Sequence, residues 1–225
     1  ELNMRSVFGV AIVAAALLIS GTALAAKPHY TYVELGLQQV DLDEADFDSG
    51  TGWNIGGQWG NEVFHIFGQY AQFSNDFSYT YEIPTMPTRQ SITIESGSLD
   101  TTQTRLGFGV HGLLGEKADL LGEAGYLYHK GDYGDGFDES SDGLFFGGGA
   151  RWMVMDFLEL KGMIYNYNLT DVDSLQSFDL DIIGYLGKFG IGGGYQYQNA
   201  KYDGADEYMN PGVFKLYVRY NLGPN

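Results

Sequence analysis

From His29 to Leu222 the chain alternates apolar and polar residues with a period of two, and the connections between the alternating segments switch regularly between short and long. A period of two belongs to strands whose two faces meet different surroundings. Ten strands are predicted, approximately over 30–40, 53–59, 63–73, 102–114, 119–128, 144–155, 158–168, 176–186, 190–202 and 213–222. Short turns are expected near Gly60-Asn61-Glu62, Gly115-Glu116-Lys117, Asp156-Phe157 and Gly187-Lys188-Phe189, and longer polar loops over 41–52, 74–101, 130–143, 169–175 and 203–211. An even number of antiparallel strands with short turns at one end and long loops at the other is the layout of a barrel that crosses a membrane. A soluble sandwich has no reason to sort its loops by length.

Which face is apolar decides between a soluble and a membrane barrel. In the third strand Phe64, Ile66, Gly68 and Tyr70 oppose His65, Phe67, Gln69 and Ala71; in the last, Phe214, Leu216, Val218, Tyr220 and Leu222 oppose Lys215, Tyr217, Arg219 and Asn221. A soluble barrel buries the apolar set, whereas a membrane barrel turns it toward lipid. Gly36, Gly107, Gly109, Gly125, Gly147, Gly149, Gly192 and Gly194 share the polar face, which marks that face as the crowded inside of a narrow cylinder. Trp53, Trp59, Trp152, Tyr126, Tyr128, Tyr195 and Tyr220 lie on the apolar face, many near strand ends, where an interfacial girdle belongs. The predicted fold is therefore all-β, a closed antiparallel transmembrane β-barrel of ten strands, with eight as the alternative, and with both termini in the periplasm.

Composition removes other classes. The 225 residues include no cysteine, which excludes a disulfide framework, a thiolate metal site and a cysteine nucleophile. A formal charge of −17 excludes a nucleic-acid partner, since phosphate binding needs a concentrated basic face. Arg5, the apolar run Val7–Ile19 and Ala23-Leu24-Ala25 form a secretory signal with its cleavage site, so residues 1–25 are expected to be removed and 26–225 to form the barrel.

Tyr30-Thr-Tyr-Val-Glu-Leu-Gly36, Trp53-Asn-Ile-Gly-Gly-Gln-Trp59, Phe64-His-Ile-Phe-Gly-Gln-Tyr70 and Leu121-Gly-Glu-Ala-Gly-Tyr126 resemble the strand and hairpin signatures of small outer-membrane β-barrel proteins of Gram-negative bacteria, the porin-like, OmpA/OmpX-type barrels. The resemblance spans the mature chain and rests on alternation and Gly/aromatic placement. It implies residence in the outer membrane, contact with lipid and lipopolysaccharide, insertion by the barrel assembly machinery, and a monomer. It carries no specific activity.

The inward face holds Glu34, Glu123, Glu159, Asp179 and Asp181 against Arg105, Arg151, Lys161, Lys215 and Arg219. Isolated charges in a narrow lumen are costly and paired ones tolerable, so an interior salt-bridge network that fills or constricts the lumen is expected. Closure should bring Glu34 of the first strand beside Arg219 of the last. The same residues could instead line an ion-selective constriction. Most acidic residues fall in the long loops, where Asp41, Asp43, Asp46 and Asp48, and Asp132, Asp135, Asp138 and Asp142, offer hard oxygen ligands for loosely held calcium or magnesium. No other cofactor is expected.

The 74–101 connection is too long for an ordinary loop. Its halves, Phe77–Ile83 and Gln90–Glu95, both alternate, which predicts strands three and four extended beyond the membrane as a hairpin presenting Tyr79, Tyr81, Ile92 and Ile94 to a partner. His129, near Asp132 and Asp135, is the nearest approach to a hydrolytic pair, and no serine lies in a nucleophile motif, so no enzymatic activity is expected. The expected role is structural or surface-interacting, with a narrow passive pore second and a barrel hydrolase a distant third.

Overall fold

The computed structural model describes residues 29–42, 48–83, 90–132, 138–170, 172–202 and 210–223. Ten strands follow in order: β1 (Tyr32–Asp41), β2 (Gly50–Gly60), β3 (Phe64–Ile83), β4 (Gln90–Leu113), β5 (Ala118–Asp132), β6 (Asp138–Met155), β7 (Leu158–Leu169), β8 (Val172–Leu186), β9 (Phe189–Tyr202) and β10 (Gly212–Asn221). Each pairs antiparallel with its sequence neighbours, and β1 pairs with β10, closing a barrel without a free edge along its wall. The closing register sets Glu34 opposite Arg219.

Short turns join β2 to β3, β4 to β5, β6 to β7 and β8 to β9, where the sequence placed them. Gly187 adopts a left-handed φ of 59° in the last of these, a conformation that costs a residue with a Cβ. The start of β1 and the end of β10 lie at this same end, the Leu222 amide donating to the Thr31 carbonyl at 2.9 Å.

The other end differs from the sequence reading. The predicted extension of strands three and four through 74–101 is present, and over 41–52 strand is confined to Asp41 and 50–52, whereas the segments expected as loops over 130–143 and 169–175 are largely strand in their described residues, with 170–171 between β7 and β8. There Ser141 donates to the Thr170 carbonyl and the Thr170 amide donates to the Asp142 carbonyl at 2.9 Å. Lys130–Asp132 and Asp138–Gly143 carry polar residues or glycine on both faces, so the alternation that marks a strand fades there while the backbone ladder continues. β3 and β4 reach furthest and remain paired up to Ile83 and Gln90, with a register shift between Tyr79 and Thr80.

The wall is inverted relative to a soluble barrel. Leu35, Leu37, Phe108, Leu144, Phe146 and Ile164 point outward, Leu37 at 67 % exposure, while Arg219 is 4 % exposed inside. The seven aromatics predicted for the girdle are all on the outer surface. An outer surface this apolar matches a hydrocarbon solvent, since large contiguous apolar patches are rare on proteins in water. Inside, the predicted glycines make room for side chains that reach across the lumen. At Gly109 a Cβ would collide with the His65 ring, and at Gly192 with the Tyr217 ring.

Candidate functional site

Alternation places every second residue of each strand in the lumen, and the barrel radius then decides which of them meet. β7 supplies Glu159, Lys161 and Tyr165 on one face, and two ionic clusters converge on this strand. In the first, Arg219 of β10 donates from Nη2 to Glu34 Oε2 at 2.9 Å, while its Nη1 lies 3.7 Å from Glu159 Oε1 across the lumen. Tyr185 joins the two by donating to Glu159 Oε2 at 3.1 Å and accepting from Arg219 Nη1 at 3.3 Å. In the second, Glu123 of β5 lies 3.7 Å from both Arg105 and Lys161 and accepts from the Tyr165 hydroxyl at 2.7 Å.

A third cluster closes the short-turn mouth. Arg151 donates to Asp119 Oδ2 at 2.8 Å, and the same oxygen accepts from the Tyr30 hydroxyl at 3.1 Å. Residues ahead of β1 thus fold back into the barrel. Arg151 Nη1 donates to the His29 carbonyl at 3.1 Å, Gln58 Nε2 donates to the Tyr30 carbonyl at 3.3 Å, and the His29 ring packs edge-on against Tyr185.

The three clusters repeat one unit, an arginine that pairs with a carboxylate and stacks on a tyrosine. Arg105 lies 3.9 Å from the Tyr165 ring centroid, Arg219 3.7 Å from that of Tyr32, and Arg151 4.8 Å from that of Tyr30. A guanidinium suits this position because its flat face accepts an aromatic ring while its edge holds a carboxylate. The desolvation cost of each buried charge is offset by several partners at once. Between the clusters remains a cavity of about 80 Å³ lined by Glu34, Asp179, Asp181, Lys215 and members of the first two clusters. That volume suits a few waters. Asp181 accepts from Tyr217 at 3.2 Å and Asp179 from Ser177 at 3.2 Å.

All ten residues expected in the lumen are on the inner wall. Asp119, Tyr30, His65 and His111 complete the network without having been counted in it. The parity of Asp119 with Glu123 could have placed it inside, but its position at a turn-like strand start hid it.

The outer acidic residues are less gathered. Asp43, Asp46 and Asp135 lie outside the described residues. Asp138 pairs with Lys130 at 2.7 Å, and Asp142 accepts from the Tyr126 hydroxyl. Among the described residues no group of three or more His, Asp or Glu is placed to hold a metal ion. Tyr79, Tyr81, Ile92 and Ile94 occupy the paired extension of β3 and β4, with Tyr79 opposite Glu95 and Tyr81 opposite Ile92 in register. His129 stands in the wall opposite Gln103 and Ser141.

The sequence model described as Outer membrane protein beta-barrel domain matches residues 11–184. Among solved structures, the β domain of the Bordetella autotransporter BrkA superposes with a TM-score of 0.50 at 10 % identity, covering 85 % of this chain and 98 % of that one. OprG of Pseudomonas aeruginosa gives 0.44 at 13 % identity, covering 87 % and 97 %, and Ail of Yersinia pestis 0.41 at 15 %, covering 84 % and 96 %. A comparison with curated proteins finds no match.

Proposed function

The chain belongs to the outer membrane protein β-barrel domain family, and from this premise we propose that it is a closed, non-conducting barrel whose work is done at the cell surface. Its place is the bacterial outer membrane. The carrying observation is the bridging of the lumen by Arg219, Tyr185 and Glu159, together with the docking of His29 and Tyr30 in the short-turn mouth. Fixed side chains held by several bonds each are a poor path for a hydrated ion. The termini and short turns face the periplasm in this reading, and the β3–β4 hairpin stands on the outer side as the element that meets a partner. In this reading the partner adds a strand along the edge of that hairpin. The barrel acts as a monomer in contact with lipopolysaccharide, whose bridging calcium or magnesium the acidic loops attract, and it enters the membrane through the assembly machinery. No step of this role requires catalysis.

Planar-bilayer recording of the purified mature protein tests the reading. A quiet membrane at neutral pH is expected, and discrete openings would replace it with the narrow passive pore. The charged lining of the central cavity favours that second reading.

A further inference from the structure

Between the second and third clusters two imidazoles meet. His65 of β3 and His111 of β4 approach at 2.7 Å, Nδ1 to Nε2. Their outer nitrogens both face carboxylates: His65 Nε2 lies 3.4 Å from Glu123 Oε1, and His111 Nδ1 3.8 Å from Asp119 Oδ2. Both outer nitrogens are buried and lack a well-formed hydrogen bond.

Proton counting makes this row informative. The sequence carboxylate, imidazole, imidazole, carboxylate has three gaps, and each needs one hydrogen. Two neutral rings carry only two, which leaves a lone pair facing a carboxylate or another lone pair. One additional proton fills all three gaps. The charge of the lumen points the same way. Among the described residues the inner network holds six carboxylates, Glu34, Asp119, Glu123, Glu159, Asp179 and Asp181. It holds five fixed cations, Arg105, Arg151, Lys161, Lys215 and Arg219. One shared proton makes the set neutral.

We propose that His65 and His111 hold a single shared proton at neutral pH, and that a second proton loosens the plug formed by His29 and Tyr30. The distance excludes a metal in place of the proton, because two nitrogens on opposite sides of one ion stand further apart than 2.7 Å. The pair faces Glu123 and Asp119 on β5 and Tyr30 ahead of β1, and the charged and titratable groups behind those carboxylates are Arg105 on β4, Arg151 on β6 and Lys161 and Tyr165 on β7. A second proton removes the acceptor between the rings and leaves two cations in contact. His111 is then drawn to Asp119 Oδ2, where Tyr30 and Arg151 already donate. The Tyr30 ring, which meets His111 edge-on at 4.7 Å, loses its seat. This step rests on the reading of the mouth as plugged, whereas the shared proton does not.

Nitrogen-15 NMR of histidine-labelled mature protein in detergent tests the proton. One low-field proton coupled to both rings is expected near pH 7.5, with joint uptake of one further proton on acidification toward about pH 5. Two independent titrations without that signal would overturn the shared proton, as would equimolar zinc uptake by the pair. Amide exchange at residues 29–31, expressed as protection factors against the intrinsic rate at each pH, tests the plug: protection should fall at least about tenfold between those pH values, corresponding to about 1.4 kcal/mol. In His111→Gln and His65→Gln, each checked for folding by heat-modifiable gel migration, this loss of protection should vanish. Its persistence in a folded variant would overturn the latch and leave the shared proton to the NMR result.

Discussion

An arginine inside a membrane barrel and a leucine outside it occupy the same strand pattern one residue apart, and they fail in different ways when exchanged. Arg219 holds Glu34 and Glu159 and covers the Tyr32 ring. Arg219→Met keeps the volume but strands two carboxylates, and a loss of about 3–5 kcal/mol is expected, read as a lower urea midpoint of refolding in detergent. Leu35 of β1 points outward near the middle of its strand. Leu35→Arg should cost about 2–4 kcal/mol in a lipid bilayer. The same substitution in a mixed micelle that can wet the site should cost visibly less, a contrast absent for Arg219→Met. The direction of both side chains was legible from alternation alone. The pairing was legible only where topology forced it, as for Glu34 and Arg219 at closure. His65 and His111, 46 residues apart, both fall on the inner face by alternation, but their contact depends on the stagger of β3 against β4, which alternation does not encode.

At the scale of elements, the departure from the sequence reading lies at the loop end. Hydrophobic patterning reports contrast between two faces, so it falls silent at the ends of β5 and β6, where both faces are polar, whereas Phe77–Ile83 and Gln90–Glu95 still alternate and made the extension of β3 and β4 legible. β3 and β4 run to 20 and 24 residues, well beyond the roughly 9–11 that span a membrane. β3 pairs with β2 only up to Ser74 and β4 with β5 only from Asp100, so the excess lies outside the closed wall. Asp76 and Ser98 are opposite in register, so excising residues 77–97 and joining these two through Asn-Gly leaves every wall pairing intact. The shortened protein should migrate as a folded, heat-modifiable barrel with an unchanged urea midpoint, while losing any surface binding the intact protein shows. Failure to fold would mean that the hairpin is a nucleus of the barrel, and retained binding would move the partner site to another loop.

For the whole molecule, the sequence carried the architecture because closure, inversion and charge placement are global constraints that many residues satisfy together. The charge of −17 divides accordingly, with a near-neutral lumen and most of the acid at the end opposite the short turns. The proposed role sets that acidic end outward, against lipopolysaccharide and its bridging divalent ions, and the short turns in the periplasm. The absence of cysteine gives a direct test, because any introduced thiol is the sole one. Arg89→Cys lies in the β3–β4 connection, and Lys117→Cys lies in the β4–β5 turn, where the native lysine is exposed and pairs with Asp156 at 2.8 Å. A maleimide carrying a polymer too large for porins should label the first on intact cells and the second only after the outer membrane is breached. The opposite pattern would turn the barrel over, placing the hairpin in the periplasm and the plugged mouth outside.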